Sequence, residues 1–312
     1  MFHSLSGRVK PIIFLVFGLP FFYVMSAANA GVSTVCRNFL TAQDYPRAIK
    51  EAKSLLTRKG LTSEDELSIQ MCLGGANRKT GHFPEALSAY LRAESLSQST
   101  EDLAIAYISL GATYLDIPDL DRAELYTQRA ILAFKETGNT FAASTSINNL
   151  ALIVKRRGDL DRAMLLFRES IDMDPDGAGE STKLNNIALI HMERKEFYEA
   201  EKLLREAIEI SRRQGNGHNI ALHQINLGKV LHLKGDLVDA EQALTAGLNA
   251  IQLIGDRAWE AEAYASLGML DLDRKDSPSA KGWFKKAEQT YLAIGQSTNA
   301  DVMRQKLNQI EQ

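Results

Sequence analysis

The segment Asp172-Met-Asp-Pro-Asp-Gly177 has the residue types of a calcium-binding loop. Its carboxylates alternate along the chain, Gly177 stands where such a loop turns sharply, and Glu180 follows at the ninth position. The twelfth position is Lys183, where the loop would need a bidentate glutamate. Asp-Pro-Asp is also a common end to a helix, because proline cannot continue one. We therefore expect no metal ion at this segment.

Histidine side chains are the other common metal ligands and proton carriers in the chain. No two of them have the H-E-x-x-H spacing, and none combines with the cysteines in a zinc pattern. The chain also lacks G-x-S-x-G and a phosphate-binding glycine-rich loop. We predict neither a catalytic site nor a cofactor, although His191 and His232 lie where neighbouring helices could bring them together. The six histidines are His3, His82, His191, His218, His223 and His232.

The N-terminal thirty residues have the pattern of a secretory signal peptide. Arg8 and Lys10 precede an apolar run over 11–25, and Ala28-Asn-Ala30 fits the small-x-small rule for cleavage before Gly31. The run has 15 residues, whereas a membrane span needs about 20. We predict a signal peptide over 1–30 and a mature chain over 31–312 in the periplasm or secreted. The alternative is an uncleaved signal that anchors the chain in the membrane.

The two cysteines, Cys36 and Cys72, leave two alternatives open. An exported protein meets an oxidising compartment, in which a disulfide forms readily. Two free cysteines would also pack well as small side chains between helices.

Composition and charge restrict the class of partner. The chain is 45% hydrophobic and 24% charged, which is typical of a globular protein. Its formal net charge is −3, and the segment over 1–30 contributes only Arg8 and Lys10 to it. Because nucleic-acid binders have a basic excess, we expect no nucleic-acid partner.

The sequence Asp-Leu-Asp-Arg-Ala occurs at 119–123 and again at 159–163, and it marks a longer repeat. Its final alanine recurs every 37 to 40 residues, and we call these residues the turn alanines: Ala48, Ala86, Ala123, Ala163, Ala200, Ala240 and Ala280. Twelve residues before each one is a small first-helix residue: Cys36, Gly74, Gly111, Ala151, Ala188, Gly228 and Gly268. Small side chains at fixed points allow helices to cross closely, and a period of this length indicates a solenoid.

The Leu-Gly pair, the Gly-Asp turn and the alanine together resemble the tetratricopeptide repeat, lengthened from its usual 34 residues. The longer form is similar to the repeats of kinesin light chains and spindle-orientation adaptors. The resemblance implies an all-α, right-handed α-solenoid of about seven helix pairs with a C-terminal capping helix. The expected repeats are 33–62, 67–100, 104–140, 144–178, 181–216, 221–256 and 261–296, followed by a cap over 297–312.

An asparagine row is the main candidate for ligand binding. Asn149, Asn186 and Asn226 each lie two residues before a small first-helix residue, Ser109 and Ser266 continue the row, and Asn148 and Asn185 add a second amide. A carboxamide both donates and accepts, so it can hold a peptide N–H and C=O together. The runs over 147–152 and 184–189 resemble those adaptor repeats, in which the asparagine row holds a peptide in the concave groove. The alternative is that asparagine caps or cross-links helices of the scaffold.

Basic residues follow the asparagines on the same helices. They are Lys155, Arg156, Lys229 and His232, and they predict a locally positive groove floor suited to an acidic peptide or a C-terminal carboxylate. Acidic Asp116, Glu193 and Asp273 at related positions weaken that prediction. Leu152, Leu189 and Met269 would add apolar contact.

These features predict an exported scaffold that binds a protein or an extended peptide in its groove. Its place would be an envelope, pilus or secretion assembly. The alternatives are a structural solenoid that self-associates without a peptide ligand, and an envelope adaptor anchored by its uncleaved signal.

Overall fold

The computed structural model describes residues 34–174, 177 and 179–311 of the chain, and every regular element in these ranges is an α-helix. The predicted signal peptide and its cleavage point lie outside the described residues. Among the described helices, none combines the length and the apolar character that a membrane crossing requires.

The helices form two compact units, which divide between Ser97 and Gln98. The first contains α1 (Thr34–Thr41), α2 (Tyr45–Leu55), α3 (Ser63–Lys79) and α4 (Phe83–Leu96). The second contains α5 (Thr100–Asp116), α6 (Leu120–Glu136), α7 (Thr140–Arg157), α8 (Leu160–Met173), α9 (Glu180–Glu193), α10 (Phe197–Arg213), α11 (Gly217–Lys234), α12 (Leu237–Ile254), α13 (Arg257–Asp273), α14 (Ser277–Ala293) and α15 (Ser297–Glu311). The prediction of an all-α chain with seven helix pairs and a final helix is confirmed over the described residues.

The first helix of most pairs begins about four residues earlier than the repeat pattern suggested. The cause is a polar cap before each start, because an unpaired backbone N–H in the first turn needs an acceptor. Thr62 accepts from the Asp65 backbone N–H in a capping box, Ser99 accepts from Asp102 N–H, and Asn139 accepts from Ala142 N–H. The caps therefore extend the helices into what the sequence suggested was loop.

The turn inside each pair reverses the chain and starts the second helix. Gly158 has φ of 91°, a left-handed conformation that costs glycine little, and Asp159 then accepts a hydrogen bond from Arg162 N–H at 3.1 Å. Asp119 caps α6 in the same way through Arg122 N–H at 3.1 Å. Lys195 adopts φ of 62° at the equivalent turn without a glycine. The repeated Asp-Leu-Asp-Arg-Ala is therefore a turn and a helix start.

Close helix crossing explains the small residues of the repeat. The seven turn alanines have no solvent-exposed surface. A Cβ atom placed on Gly228 would lie 2.6 Å from Leu244 Cγ and 3.0 Å from the Ala240 carbonyl oxygen. Side chains at this crossing are limited by contact between α11 and α12, as overpacking arguments require.

Each unit has its own buried core. In the second unit, one continuous cluster joins Leu204, Ile225, Leu244 and Phe284 across α10 to α14. In the first unit, Leu55 and Ile69 pack beside a disulfide between Cys36 of α1 and Cys72 of α3, with an S–S distance of 1.94 Å. Of the two alternatives for the cysteines, the structure has the bridge.

Candidate functional site

The first helices α7, α9, α11 and α13 of the second unit reach one another through polar side chains. Asn226 bonds to Asn185, and Lys155 pairs with Glu193 across neighbouring helices. Residues three, four or seven apart share one side of a helix. We call the side with these contacts the first-helix face: Asn148, Leu152 and Lys155 of α7, Asn186, Leu189 and Glu193 of α9, Lys229 and His232 of α11, and Glu262, Met269 and Asp273 of α13.

Asn226 belongs to the scaffold and is not open to a ligand. Its side chain is 2% exposed, and its Nδ2 donates to Asn185 Oδ1 at 2.8 Å, from α11 to α9. Burial of both carboxamides requires such a partner, because an unpaired amide in the interior costs about 1–3 kcal/mol. For Asn226 and Asn185 the groove prediction is corrected in favour of the alternative, a cross-link between helices.

The remaining asparagines differ in their access to solvent. Asn149 is 7% exposed and therefore buried, although it lies in the predicted row. Asn148 and Asn186 are half-buried, as are Leu152 and Leu189 one turn further along the same helices. Asn148 Oδ1 has no hydrogen-bond partner among the described residues. The open amides are therefore Asn148 and Asn186 on adjacent first helices.

The two serines of the row bond to their own helices. Ser109 Oγ donates to the Ile105 carbonyl at 2.8 Å, and Ser266 Oγ donates to the Glu262 carbonyl at 2.8 Å. Such bonds to the residue four positions earlier occupy the hydroxyl hydrogen. These serines therefore have only acceptor capacity left for a ligand.

Lys155 is a buried charge with a partner in the next repeat. Its ammonium lies 3.1 Å from Glu193 Oε1 of α9. Burial lowers the pKa of Lys155, and the Glu193 carboxylate opposes that effect. The pair links α7 to α9 and leaves no free positive charge at this point.

Lys229 and Glu262 form a second cross-helix pair, between α11 and α13, at 2.5 Å. Tyr291 donates its hydroxyl hydrogen to Glu262 Oε2 at 2.9 Å. Burial would raise the pKa of Glu262, but the Lys229 ammonium and the Tyr291 hydroxyl hold that pKa below its usual value. Burial and the Glu262 carboxylate in turn raise the pKa of Tyr291.

The predicted positive floor is corrected, because its other basic groups also have acceptors. His232 Nε2 lies 2.7 Å from Asp273 Oδ2, and Arg156 donates to the Leu115 carbonyl at 2.8 Å. His191 pairs with Glu196 rather than approaching His232. Carboxylates one helix away thus compensate the basic charges of the first-helix face.

Sequence reasoning missed a ladder of ion pairs at the end of each first helix in repeats four to seven. Arg194 pairs with Asp161 at 2.6 Å and Lys234 with Glu201 at 2.9 Å, each across to the second helix of the preceding pair. The detectable signal was a basic residue six positions after the small first-helix residue. The ladder residues are Arg157, Arg194, Lys234 and Arg274.

A buried polar cluster at the start of α9 was also missed. The Lys183 ammonium lies 2.7 Å from Asp174 Oδ2 and 2.9 Å from Ser144 Oγ, with both charged side chains in the interior. Lys183 is the residue that broke the calcium-loop pattern in the sequence. Its ammonium supplies the positive charge beside Asp174, the one acidic residue of that segment with a described contact.

Comparison with known proteins gives matches of one type. Models of the tetratricopeptide repeat match residues 144–173 and 180–252. A curated relative, Tonsoku-like protein from Bos taurus, is 30% identical over 140 residues, which are 43% of this chain. The chain spans about one tenth of the length of that relative, 10%.

Solved structures share the architecture at low sequence identity. A tetratricopeptide repeat protein from Parabacteroides merdae has a TM-score of 0.65 and 15% identity, over 90% of this chain and 98% of that one. BtubC (BKLC) from P. vanneervenii has a TM-score of 0.57 and 21% identity, over 71% and 92%. A Rap protein complexed with competence and sporulation factor has a TM-score of 0.63 and 12% identity, over 90% and 85%. These likenesses show the fold. With its repeated helix pairs and the matched repeat models, the chain is a tetratricopeptide-repeat protein.

Proposed function

We propose that the chain is an exported adaptor that binds an extended segment of a partner protein along the first-helix face. Repeat solenoids are protein-interaction scaffolds, and their extended inner surfaces suit such segments. The observation that carries the proposal is the pair of partly exposed carboxamides, Asn148 and Asn186, on adjacent first helices.

The chemistry of this surface fits a peptide main chain. The Asn148 carboxamide has an unpaired acceptor among the described residues, and Asn186 offers both a donor and an acceptor at the surface. Leu152 and Leu189 lie beside them and would receive apolar side chains. Because the basic charges of the face are compensated, the segment that fits is uncharged to apolar rather than acidic.

Among proteins of similar fold, a Rap protein was solved with competence and sporulation factor bound. That complex supports the idea that this architecture can hold a ligand on a helical surface. It says nothing about the identity of the partner here, since the sequence identity is 12%.

Site-specific photo-crosslinking tests the proposal. A photoreactive residue in place of Leu152 or Leu189 should capture a partner in envelope extract, whereas one at Leu253, which is 91% exposed on α12, should not. Asn148→Ala with Asn186→Ala should reduce the capture about 5- to 100-fold, because each lost hydrogen bond contributes about 0.5–1.5 kcal/mol. Equal capture at all three positions, or capture unaffected by the double substitution, would contradict the proposal.

For the cellular location we propose the periplasm, in an envelope, pilus or secretion assembly. The support is the signal-like sequence over 1–30 and the disulfide in the first unit, since disulfides persist in oxidising compartments. Cell fractionation and the mass of the purified mature protein test this. A chain that begins at Gly31 in the periplasmic fraction is the expected result, and a full-length chain in the membrane fraction would favour the uncleaved anchor.

Self-association is the second candidate, and exposed leucines on the second helices favour it. Leu132 of α6 and Leu165 of α8 are 69% and 68% exposed. Sedimentation of the wild type and of Leu132→Lys with Leu165→Lys decides this point. A dimer that the double substitution dissociates would support self-association.

A further inference from the structure

Two neighbouring junctions between helix pairs have polar interiors. Each junction has three equivalent positions, which lie seven residues before a small first-helix residue, eleven after the turn alanine, and five before the next small first-helix residue. In the second unit, the position eleven after the turn alanine is otherwise apolar or aromatic and buried: Phe134, Ile251 and Tyr291. The junctions between α7–α8 and α9 and between α9–α10 and α11 are the exceptions.

The first polar junction is fully satisfied. Its three positions are Ser144, Asp174 and Lys183, and the Lys183 ammonium donates to Asp174 Oδ2, Ser144 Oγ and the Ser170 carbonyl at 2.7, 2.9 and 3.0 Å. The buried positive charge therefore has a carboxylate and two neutral acceptors, which is the condition for burying a charge.

The second polar junction has the same register without the carboxylate. Its three positions are Ser181, Ser211 and His223, all buried, with His223 only 2% exposed. Neither ring nitrogen of His223 has a hydrogen-bond partner among the described residues, and the same is true of the two serine hydroxyls. Ser211 replaces Asp174, so a positive charge on His223 would have no counter-ion at the equivalent place.

The ionisable groups of the surrounding helices have partners of their own. Burial lowers the pKa of His223 to about 4, and His218 on the same helix lowers it further by repulsion. After Glu241, α12 has no charged residue. The groups concerned are Lys183 of α9 with Asp174, Arg212 of α10 with Glu209, His218 of α11 with Asp256, and Glu260 and Glu262 of α13 with Arg257 and Lys229.

We propose that His223 makes the junction between the fifth and sixth helix pairs an acid-sensitive seam. When the imidazole takes up a proton, α11 separates from α9 and α10, and the Asn226–Asn185 bond across the same junction breaks. The preceding junction, held by Lys183 and Asp174, stays closed.

The direction of the pH dependence follows from the lowered pKa. Above the ordinary histidine pKa of 6.5, the imidazole is neutral in both states and the closed seam keeps its full stability. Between pH 6.5 and about 4, the open state binds a proton that the closed state does not, so stability falls as the pH falls. The open population should rise about thirtyfold at pH 5 by this linkage.

Hydrogen exchange of the full chain, followed by mass spectrometry at pH 7.5 and pH 5 and corrected for intrinsic exchange, tests the seam. The wild type should show the rise in opening of peptides from α10 and α11, with α7 and α8 unchanged. His223→Leu, which resembles the apolar junctions, should abolish the rise. His232→Leu, on the same helix but paired with Asp273, should retain it and serves as the matched control.

Ser211→Asp gives a second and opposite variant. It places a carboxylate at the position of Asp174 and should keep the seam closed at pH 5, because a neighbouring negative charge favours the protonated imidazole. A wild type that does not open at pH 5 would overturn the proposal. The same pH response in His223→Leu or in Ser211→Asp as in the wild type would also overturn it, so either folded variant suffices.

Discussion

The Asn226 carboxamide donates to Asn185 Oδ1 at 2.8 Å, inside the protein and between helices forty-one residues apart in sequence. The adjacent Asn186 is half-buried at the surface of α9. One residue of helical rotation thus separates a cross-link of the scaffold from an amide that a partner can reach, and the two should respond differently to substitution.

Asn226→Ala should lower the free energy of unfolding by about 1–3 kcal/mol, because it leaves Asn185 buried without its donor. Asn186→Ala should change it by no more than about 0.5 kcal/mol, as surface substitutions do. Urea denaturation of both variants measures this. A stability loss at Asn186 as large as that at Asn226 would mean that both asparagines serve the scaffold.

Lys183→Met should destabilise the second unit by about 3–5 kcal/mol at neutral pH, because it leaves the Asp174 carboxylate buried and unpaired. Adding Asp174→Leu should recover most of the loss, since two apolar side chains can replace a buried ion pair. Denaturation of the single and double variants gives the coupling. Additive losses would show that the two charges do not depend on each other.

Replacing both Cys36 and Cys72 by alanine should destabilise the first unit by about 4 kcal/mol, as expected when a bridge over a separation of 36 residues is lost. The physical reason is that the bridge restricts the unfolded chain. Hydrogen exchange should increase in α1 to α3, where the bridged helices lie. An equal increase confined to α5 to α15 would contradict the assignment.

Gly228→Val should cost about 1–3 kcal/mol, because its side chain would meet Leu244 and the Ala240 carbonyl at the helix crossing. Gly282, within α14, has no atom within 4 Å of the place where a Cβ would lie. Gly282→Ala should therefore stabilise by about 0.5–1 kcal/mol through helix propensity. Thermal unfolding of the two variants compares them, and a neutral Gly228→Val would argue against close crossing.

Much of the fold is predictable because each helix pair repeats the same steric requirements. The turn alanines and small first-helix residues are legible in the sequence, since only small side chains fit where two helices cross at Gly228 and Ala240. The starts of the first helices were less accurate, because Ser99 and Asn139 extend them by capping, a local effect that hydrophobic periodicity does not contain.

The candidate site was only partly predictable. The asparagine row identified the right helices, but Asn148 and Asn149 are neighbours in sequence and differ in burial because a helix turns about 100° per residue. The charges of Lys155 and His232 suggested a positive surface, and their partners Glu193 and Asp273 lie one repeat away. Pairing each basic residue with carboxylates about one period downstream would have been the usable signal.

The sequence by itself determined the helical class, the period and the turn chemistry, because these depend on local backbone preferences and on the size of side chains at fixed spacing. The tertiary structure decided which polar groups are available to a partner. That outcome depends on the rotation of each helix against its neighbour, which buries Asn226 and leaves Asn186 accessible. It also depends on the exchange of Asp174 for Ser211 between equivalent junctions, whose effect on His223 exists only once the helices pack.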